Sequence, residues 1–262
     1  MTNKAWKDFI SSFSHWRIFC LIGILDIKIR YARSKFGQFW ITLSLAIQVC
    51  TMGVVWSYLF KIPAAEYIPY LATSLVLWNF SVASVTDGAS AYITYTHYLK
   101  ELTIPKLSYI NAVMVKNMVI LIHNIPILMI IYIYYSVPIS LDILAASFYG
   151  FMILFVFLYL MIVSLSLLCL RFRDFPNIIN SLIQVVMYLT PIMWKVETAP
   201  EEIRGYMVLN PANVFISLCR DPLLKGGADL SYDISAVIYL FIAFVLASIS
   251  FSKFRSKIVY WL

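Results

Sequence analysis

Charge is scarce in this chain. Acidic and basic side chains occupy 13% of its 262 positions and hydrophobic ones 62%, whereas soluble domains carry about 25% charged and about 45 to 50% apolar residues. An ordinary soluble globular protein is therefore excluded. Glycine is sparse as well. The eight glycines, at 23, 37, 53, 88, 150, 205, 226 and 227, include no pair with the spacing of GxxxxGK[ST], so the chain is no P-loop ATPase. HExxH, GxSxG and paired carboxylates on a helix face are all missing, which places an enzyme low. Acids gather only at Glu201, Glu202, Asp221, Asp229 and Asp233, where a solvated surface explains them. The four cysteines, Cys20, Cys50, Cys169 and Cys219, are too scattered for a disulfide framework or a zinc site. At the N-terminus the longest apolar run, Ile18 to Leu25, ends at Asp26 and Lys28 with no small-residue cleavage site, unlike a signal peptide. No RNA-binding motif or soluble basic domain points to a nucleic-acid partner.

Long apolar runs are what the chain has instead. They fall at about 39–60, 69–92, 109–135, 143–170, 175–194 and 234–252, each meeting the roughly 17 to 25 residues a membrane helix needs. The expected fold is an all-α integral membrane protein with six transmembrane helices. Short segments of alternating polarity, the mark of a membrane barrel, are lacking. Lys and Arg are distributed unevenly: fourteen lie in residues 1–38, the 95–106 loop, 171–174 and the C-terminal tail, against five (Lys61, Lys195, Arg204, Arg220, Lys225) in the alternate connections. By the positive-inside rule both termini are cytosolic. Residues 1–38 form a cytosolic segment of their own, and residues 39–262 form the six-helix domain.

Polar residues inside the runs are patterned. Trp6, Phe9, Phe13, Trp16 and Cys20 recur at steps of three and four, predicting an amphipathic helix in the interfacial layer. Basic residues then lead to the foot of the first span, where they would attract anionic headgroups. Ser44, Gln48, Thr51 and Tyr58 share one stripe of helix 1, and Asn177, Ser181, Gln184, Tyr188 and Pro191 share one of helix 5. Such stripes face a polar pathway or a neighbouring helix, since unpaired polar groups in hydrocarbon are costly. Asp87 is expected in the cytosolic third of helix 2, and Lys116 is expected to snorkel to the inner surface.

The loop TYTHYLKELTIPK suits a short helix, with Tyr95, Tyr98 and Leu99 exposed beside Lys100 and Glu101 as a docking knob. Between helices 5 and 6, residues 195–233 are too long for a turn. Thr198 with Glu201 reads as a capping box, and Asn210 with Pro211 as the start of a second helix that Pro222 and Gly226-Gly227 end. Two short helices there suggest an outer re-entrant gate, or a simple outer cap.

The order of these parts resembles the permeases of ABC exporters for lipid-linked polysaccharides, a family that includes O-antigen, capsule and teichoic-acid transporters. The matching residues are Asp26-Ile27-Lys28-Ile29-Arg30-Tyr31 with Ser34, Gly37 and Trp40, then Ile104-Pro105-Lys106, Arg171-Phe172-Arg173-Asp174, Thr190-Pro191, and Asn210-Pro211 followed by Arg220. The departures are Thr190 where such permeases often have Ser, and His97 where an Asn is common. The resemblance implies a homodimer paired with two copies of an ATP-binding subunit, which holds ATP and Mg while this chain carries no cofactor, metal or catalytic residue. It implies coupling to that subunit through Tyr95, His97, Tyr98, Leu99, Lys100, Glu101, Arg171, Arg173 and Asp174. Arg30, Arg33 and Lys35 would meet the lipid pyrophosphate, and Trp40, Ser44, Gln48, Thr51, Tyr58, Asn177, Ser181, Gln184 and Tyr188 would line the pathway. Trp56, Trp78 and Trp194 are either sugar platforms or interfacial anchors. The implied cargo is a lipid-linked polysaccharide, O-antigen on an undecaprenyl-type carrier, exported across the bacterial inner membrane. A capsule or teichoic-acid permease, a drug or small-lipid ABC permease and a membrane lipid-modifying enzyme are the alternatives.

Overall fold

Apolar runs that must leave water can satisfy their backbone groups internally only as helices or closed barrels, and here they form helices. The computed structural model describes residues 3–37, 39–227 and 229–262, and these residues are helical with short turns. In chain order the helices are α1 (Asn3–Ser14), α2 (Trp16–Tyr31), α3 (Phe39–Phe60), α4 (Ala64–Ala89), α5 (Ala91–Thr94), α6 (Thr96–Glu101), α7 (Leu107–Tyr134), α8 (Leu141–Arg171), α9 (Phe175–Leu189), α10 (Glu201–Arg204), α11 (Pro211–Lys225), α12 (Leu230–Phe254) and α13 (Ile258–Trp261). Among these, α3, α4, α7, α8 and the helix that begins at Leu230 are long and apolar enough to cross a bilayer. The protein is an all-α, multi-pass membrane protein.

Beside the bent pair α1–α2, a sixth crossing by length and composition alone, the expected fifth span is α9, whose 15 residues span about 22 Å at 1.5 Å per residue, short of a hydrocarbon core about 30 Å thick. Irregular backbone at Thr190–Trp194 continues it. Such backbone survives at membrane depth only when buried in protein, and Thr190, Pro191 and Ile192 are buried.

The central element is α4, with 72% of its apolar window buried, while α3 and the last span, at 17% and 22%, are peripheral. It packs against α3, α7, α8, α9 and α11. Pro69 lies inside this helix, so α4 begins five residues before the apolar run does. Pro63 immediately precedes it, with φ −54°, the angle that proline supplies. Ser140 opens α8 by accepting from the Ile143 N–H (3.3 Å), and Asp229 opens α12 by accepting from Ser231 N–H (2.9 Å), as capping residues do.

The N-terminal amphipathic segment is two helices, α1 and α2, meeting at 70°. Both pack on α7. A Cβ at Gly23 of α2 would stand 2.5 Å from the Ala112 carbonyl oxygen of α7, so glycine is what lets these two backbones touch.

The outer segment differs from its sequence signature. Thr198 donates its hydroxyl to the Lys195 carbonyl (2.7 Å) rather than capping a helix. Pro200 occupies the cap position of α10, which is only four residues long. The second start is as expected: Asn210 Oδ1 accepts from the N–H groups of Ala212 (3.0 Å) and Asn213 (3.4 Å), with Pro211 in the first turn. Pro222 stays within α11, and the helix ends at Gly226 with φ +79°, a left-handed conformation open to glycine. Gly150 of α8 lies against the backbone of Leu218 and Cys219. Gly150 is nine residues into α8, and residues 213–222 of α11 are buried, so this helix packs into the core.

Candidate pathway, coupling surface and outer break

The loop after α4 folds as expected, yet its residues divide into two kinds. Tyr95 and Leu99 are buried, at 2% and 4% exposure, which corrects their expected exposure. Four residues apart, they share the inward face of the turn. The Tyr95 hydroxyl donates to the Asp26 carboxylate of α2, and its ring lies 5.9 Å from that of Tyr109. Burial, then the hydrogen bond to Asp26, raises the Tyr95 pKa. His97, Tyr98, Lys100 and Glu101 point outward. His97 Nε2 stands 3.3 Å from Glu101, an ion pair only when the imidazole is protonated.

At the α8–α9 turn, Arg171, Arg173 and Asp174 are exposed. Arg171 lies over the rings of Phe172 and Trp261, each 5.7 Å away, and Arg173 Nη2 donates to the Trp261 carbonyl (3.2 Å). The turn is thereby tied to α13. Arg30 closes α2, where a cation complements the helix dipole, and it is exposed with Arg33 and Lys35.

Both polar stripes face out of the chain. Ser44, Thr51 and Tyr58 of α3 and Asn177, Ser181, Gln184 and Tyr188 of α9 are exposed, Gln48 is half-buried, and Trp40 joins the outward face. The hydroxyls of Ser44 and Ser181 bond back to the carbonyls of Trp40 (2.7 Å) and Asn177 (3.0 Å). Among the described residues, the amides of Gln48, Asn177, Asn180 and Gln184 have no partner in this chain. Trp78 is buried, Trp56 stacks on Phe60 at 5.3 Å, and Trp194 Nε1 donates to the Tyr188 carbonyl (3.3 Å).

Asp87 and Lys116 form an ion pair of 2.8 Å joining α4 to α7. Lys116 is 7% exposed and so does not snorkel. Pairing is the cheaper outcome, because an isolated charge in the membrane costs about 2.5 to 3.5 kcal/mol on insertion scales.

A constellation not anticipated from sequence surrounds the break after α9. The Pro191 carbonyl accepts from Tyr70 Oη (2.7 Å) and from Arg220 Nη1 (2.9 Å). Tyr67 Oη donates to the Met193 carbonyl and Tyr70 Oη also to that of Trp194 (3.0 Å). Arg220, 1% exposed, further donates to Ser74 Oγ (3.1 Å), Ser217 Oγ (3.0 Å) and Asp221 Oδ1 (2.9 Å), and lies 4.3 Å from the Tyr70 ring. Asn210 Nδ2 donates to Thr190 Oγ1 (3.0 Å). The carbonyls of Pro191, Met193 and Trp194 are thus taken by α4 or by α11. The one available signal was an arginine within an otherwise apolar helix face.

No protein-family model matches the chain. Two Klebsiella pneumoniae proteins, each named O-antigen export system permease protein RfbA, are similar to it. One is 23% identical over 235 residues, covering 88% of each chain, and the other 23% over 239 residues, covering 88% of this chain and 90% of its own. This likeness bears out the resemblance to polysaccharide-exporter permeases, and with it a transport subunit rather than an enzyme.

Proposed function

We propose that this chain is the membrane subunit of an ABC exporter that carries lipid-linked polysaccharide, of the O-antigen kind on an undecaprenyl-type carrier, from the cytosol to the outer face of the inner membrane. Two copies pair along α3 and α9, with both termini cytosolic, and two ATP-binding subunits supply the energy. The observation that carries the reading, beside the likeness to O-antigen permeases, is the outward placement of unpaired amides on α3 and α9. At membrane depth such groups need water or a partner, and a pathway between two copies supplies both.

In this mechanism the ATP-binding subunit grips the outward face of the loop after α4, at His97, Tyr98, Lys100 and Glu101, and the exposed turn at Arg171, Arg173 and Asp174. Tyr95 and Leu99 act from behind, transmitting the movement into the bundle and, through Asp26, into α2. Arg30, Arg33 and Lys35 receive the lipid pyrophosphate at the end of α2. The exposed rings of Trp40, Tyr58 and Tyr188 offer flat faces to passing sugars. The break at Thr190–Pro191 is the hinge of an outer gate formed with α11.

Affinity purification of the tagged chain from its native membrane tests this directly. An ATP-binding subunit should co-purify in equal amount. A chain that purifies alone, stable and without such a subunit, would overturn the proposal.

A further inference from the structure

A groove of about 410 Å³ opens at the end of the bundle that carries the termini, between α1, α2, α7, α8 and α12. Its walls include Trp6, Phe13, Leu107, Phe155, Phe244 and Phe251. Residues of α3, α4 and α9 take no part in lining it, so it is separate from the outward polar stripes.

Two cations flank the groove, next to its lining residues and not among them. Lys106 immediately precedes the lining residue Leu107, and Arg255 lies one helical turn beyond the lining residue Phe251. Asp8 of α1 draws the two together: its carboxylate accepts the Lys106 backbone N–H at 3.3 Å and Arg255 Nε at 2.7 Å. Asp8 thus pairs with the Arg255 guanidinium and holds Lys106 by its backbone, not by its ammonium. The terminal guanidinium nitrogens of Arg255 and the Lys106 ammonium have no protein partner among the described residues. Burial lowers the Lys106 pKa, against the pull of Asp8 and with a smaller push from Arg255.

Deeper in the groove the polar groups differ in kind. Asn111 is engaged, donating to Ser12 Oγ (3.3 Å) and accepting from Tyr159 Oη (2.9 Å). Ser248 Oγ is buried without a partner. It lies seven residues before Arg255, about 10 Å along the helix. Two flanking cations, one unanswered hydroxyl donor below them and an apolar floor follow the order of phosphate, ester carbonyl and acyl chain.

We infer that this groove binds an anionic glycerophospholipid from the leaflet on the side of the termini, with its phosphate at Lys106 and Arg255, an ester carbonyl at Ser248 and one acyl chain along the aromatic wall. Basic pockets between membrane helices hold anionic headgroups in this way. The bound lipid fills the space between α1 and α12, and the inference is independent of what the chain exports.

The test is native mass spectrometry of the full-length chain, delipidated in detergent and titrated with phosphatidylglycerol or with phosphatidylcholine of the same acyl chains. Wild type should retain one phosphatidylglycerol per chain and prefer it about tenfold or more over phosphatidylcholine. Lys106→Gln keeps the backbone bond to Asp8 and should lose about fivefold of that preference. Ser248→Leu, which removes a hydroxyl that no protein group uses and fills the groove, should release both lipids, with the lipid-free melting temperature unchanged in either variant. Equal binding of the two lipids by wild type would overturn the inference. So would binding untouched by both substitutions, or a preference for a polyprenyl phosphate over phosphatidylglycerol that Ser248→Leu abolishes, which would make the groove a cargo site.

Discussion

Arg220 illustrates how a buried charge is retained. Its guanidinium donates to a carboxylate, two hydroxyls and the Pro191 carbonyl while stacked on Tyr70. Truncating one partner of such a pair strands the other and costs about 3 to 5 kcal/mol. Arg220→Met should accordingly lower the melting temperature and abolish export. Arg220→Lys keeps the charge without the planar fork and should fall between the two, as thermal denaturation of the purified chain would measure. The loop after α4 separates folding from coupling in the same way. Leu99→Ala removes a buried side chain and should cost about 2 to 5 kcal/mol of stability. Tyr98→Ala leaves the core intact and should reduce transport and transport-stimulated ATP hydrolysis together, at unchanged melting temperature. Normal transport by Tyr98→Ala would remove Tyr98 from the contact.

A pH effect belongs to this scale as well. Burial opposes it, but the hydrogen bond from Lys225 (2.7 Å) holds the Glu197 carboxyl below its ordinary value of 4.5, and burial likewise opposes the raised Lys225, which the bond to Glu197 lifts. A depressed carboxyl contributes stability above its unfolded value and loses it as pH falls through the folded value; a raised amine loses its share only as pH rises past its folded value. The tether between α11 and the outer turn should thus hold at neutral pH and fade below about pH 4.5. Melting curves of wild type and Glu197→Gln, separate at pH 7, should converge on acidification.

At the scale of elements, the short helix α9 and its broken end organise the half of the bundle away from the termini. Its fifteen residues are fewer than a full crossing needs, and the carbonyls of Pro191, Met193 and Trp194 take donors from α4 and α11. Gly150 allows α11 close enough to α8 to deliver Arg220 to Pro191. Gly150→Ala places a Cβ into the Leu218 carbonyl and should cost about 1 to 3 kcal/mol, with export failing in parallel.

The run lengths made the spans legible, and the dipeptides Thr190-Pro191 and Asn210-Pro211 marked the break and the start of α11. The partnership of these two dipeptides was not legible, because a bond between Asn210 and Thr190 is set by packing and not by periodicity. Tyr95 and Leu99 looked exposed because a loop is ordinarily at the surface, yet their four-residue spacing turns both inward, Tyr95 onto α2 and α7. Likewise, the sequence placed Asp87 in the cytosolic third of its helix and let Lys116 snorkel to the surface, and only the crossing of α4 and α7 makes them a pair.

At the scale of the molecule, the polar stripes of one chain face outward. The central helix α4 is surrounded by protein, while α3 and α9 turn Gln48, Gln184 and the two asparagines at 177 and 180 away from it. A cysteine placed at Thr51 or Gln184, in a background with Cys20→Ser and Cys50→Ser that leaves only the buried Cys169 and Cys219, should cross-link two copies in native membranes with a short bifunctional reagent. Monomers at both positions, labelled instead by a lipid-soluble reagent, would mean that the stripes face lipid. The account as a whole rests on export, and the most direct measurement is the sidedness of the lipid-linked polysaccharide in cells depleted of this chain. The polymer should vanish from the cell surface and accumulate on the cytosolic side of the inner membrane, reappearing outside when the wild-type chain is restored. Surface polysaccharide that persists through depletion, with none trapped inside, would contradict it.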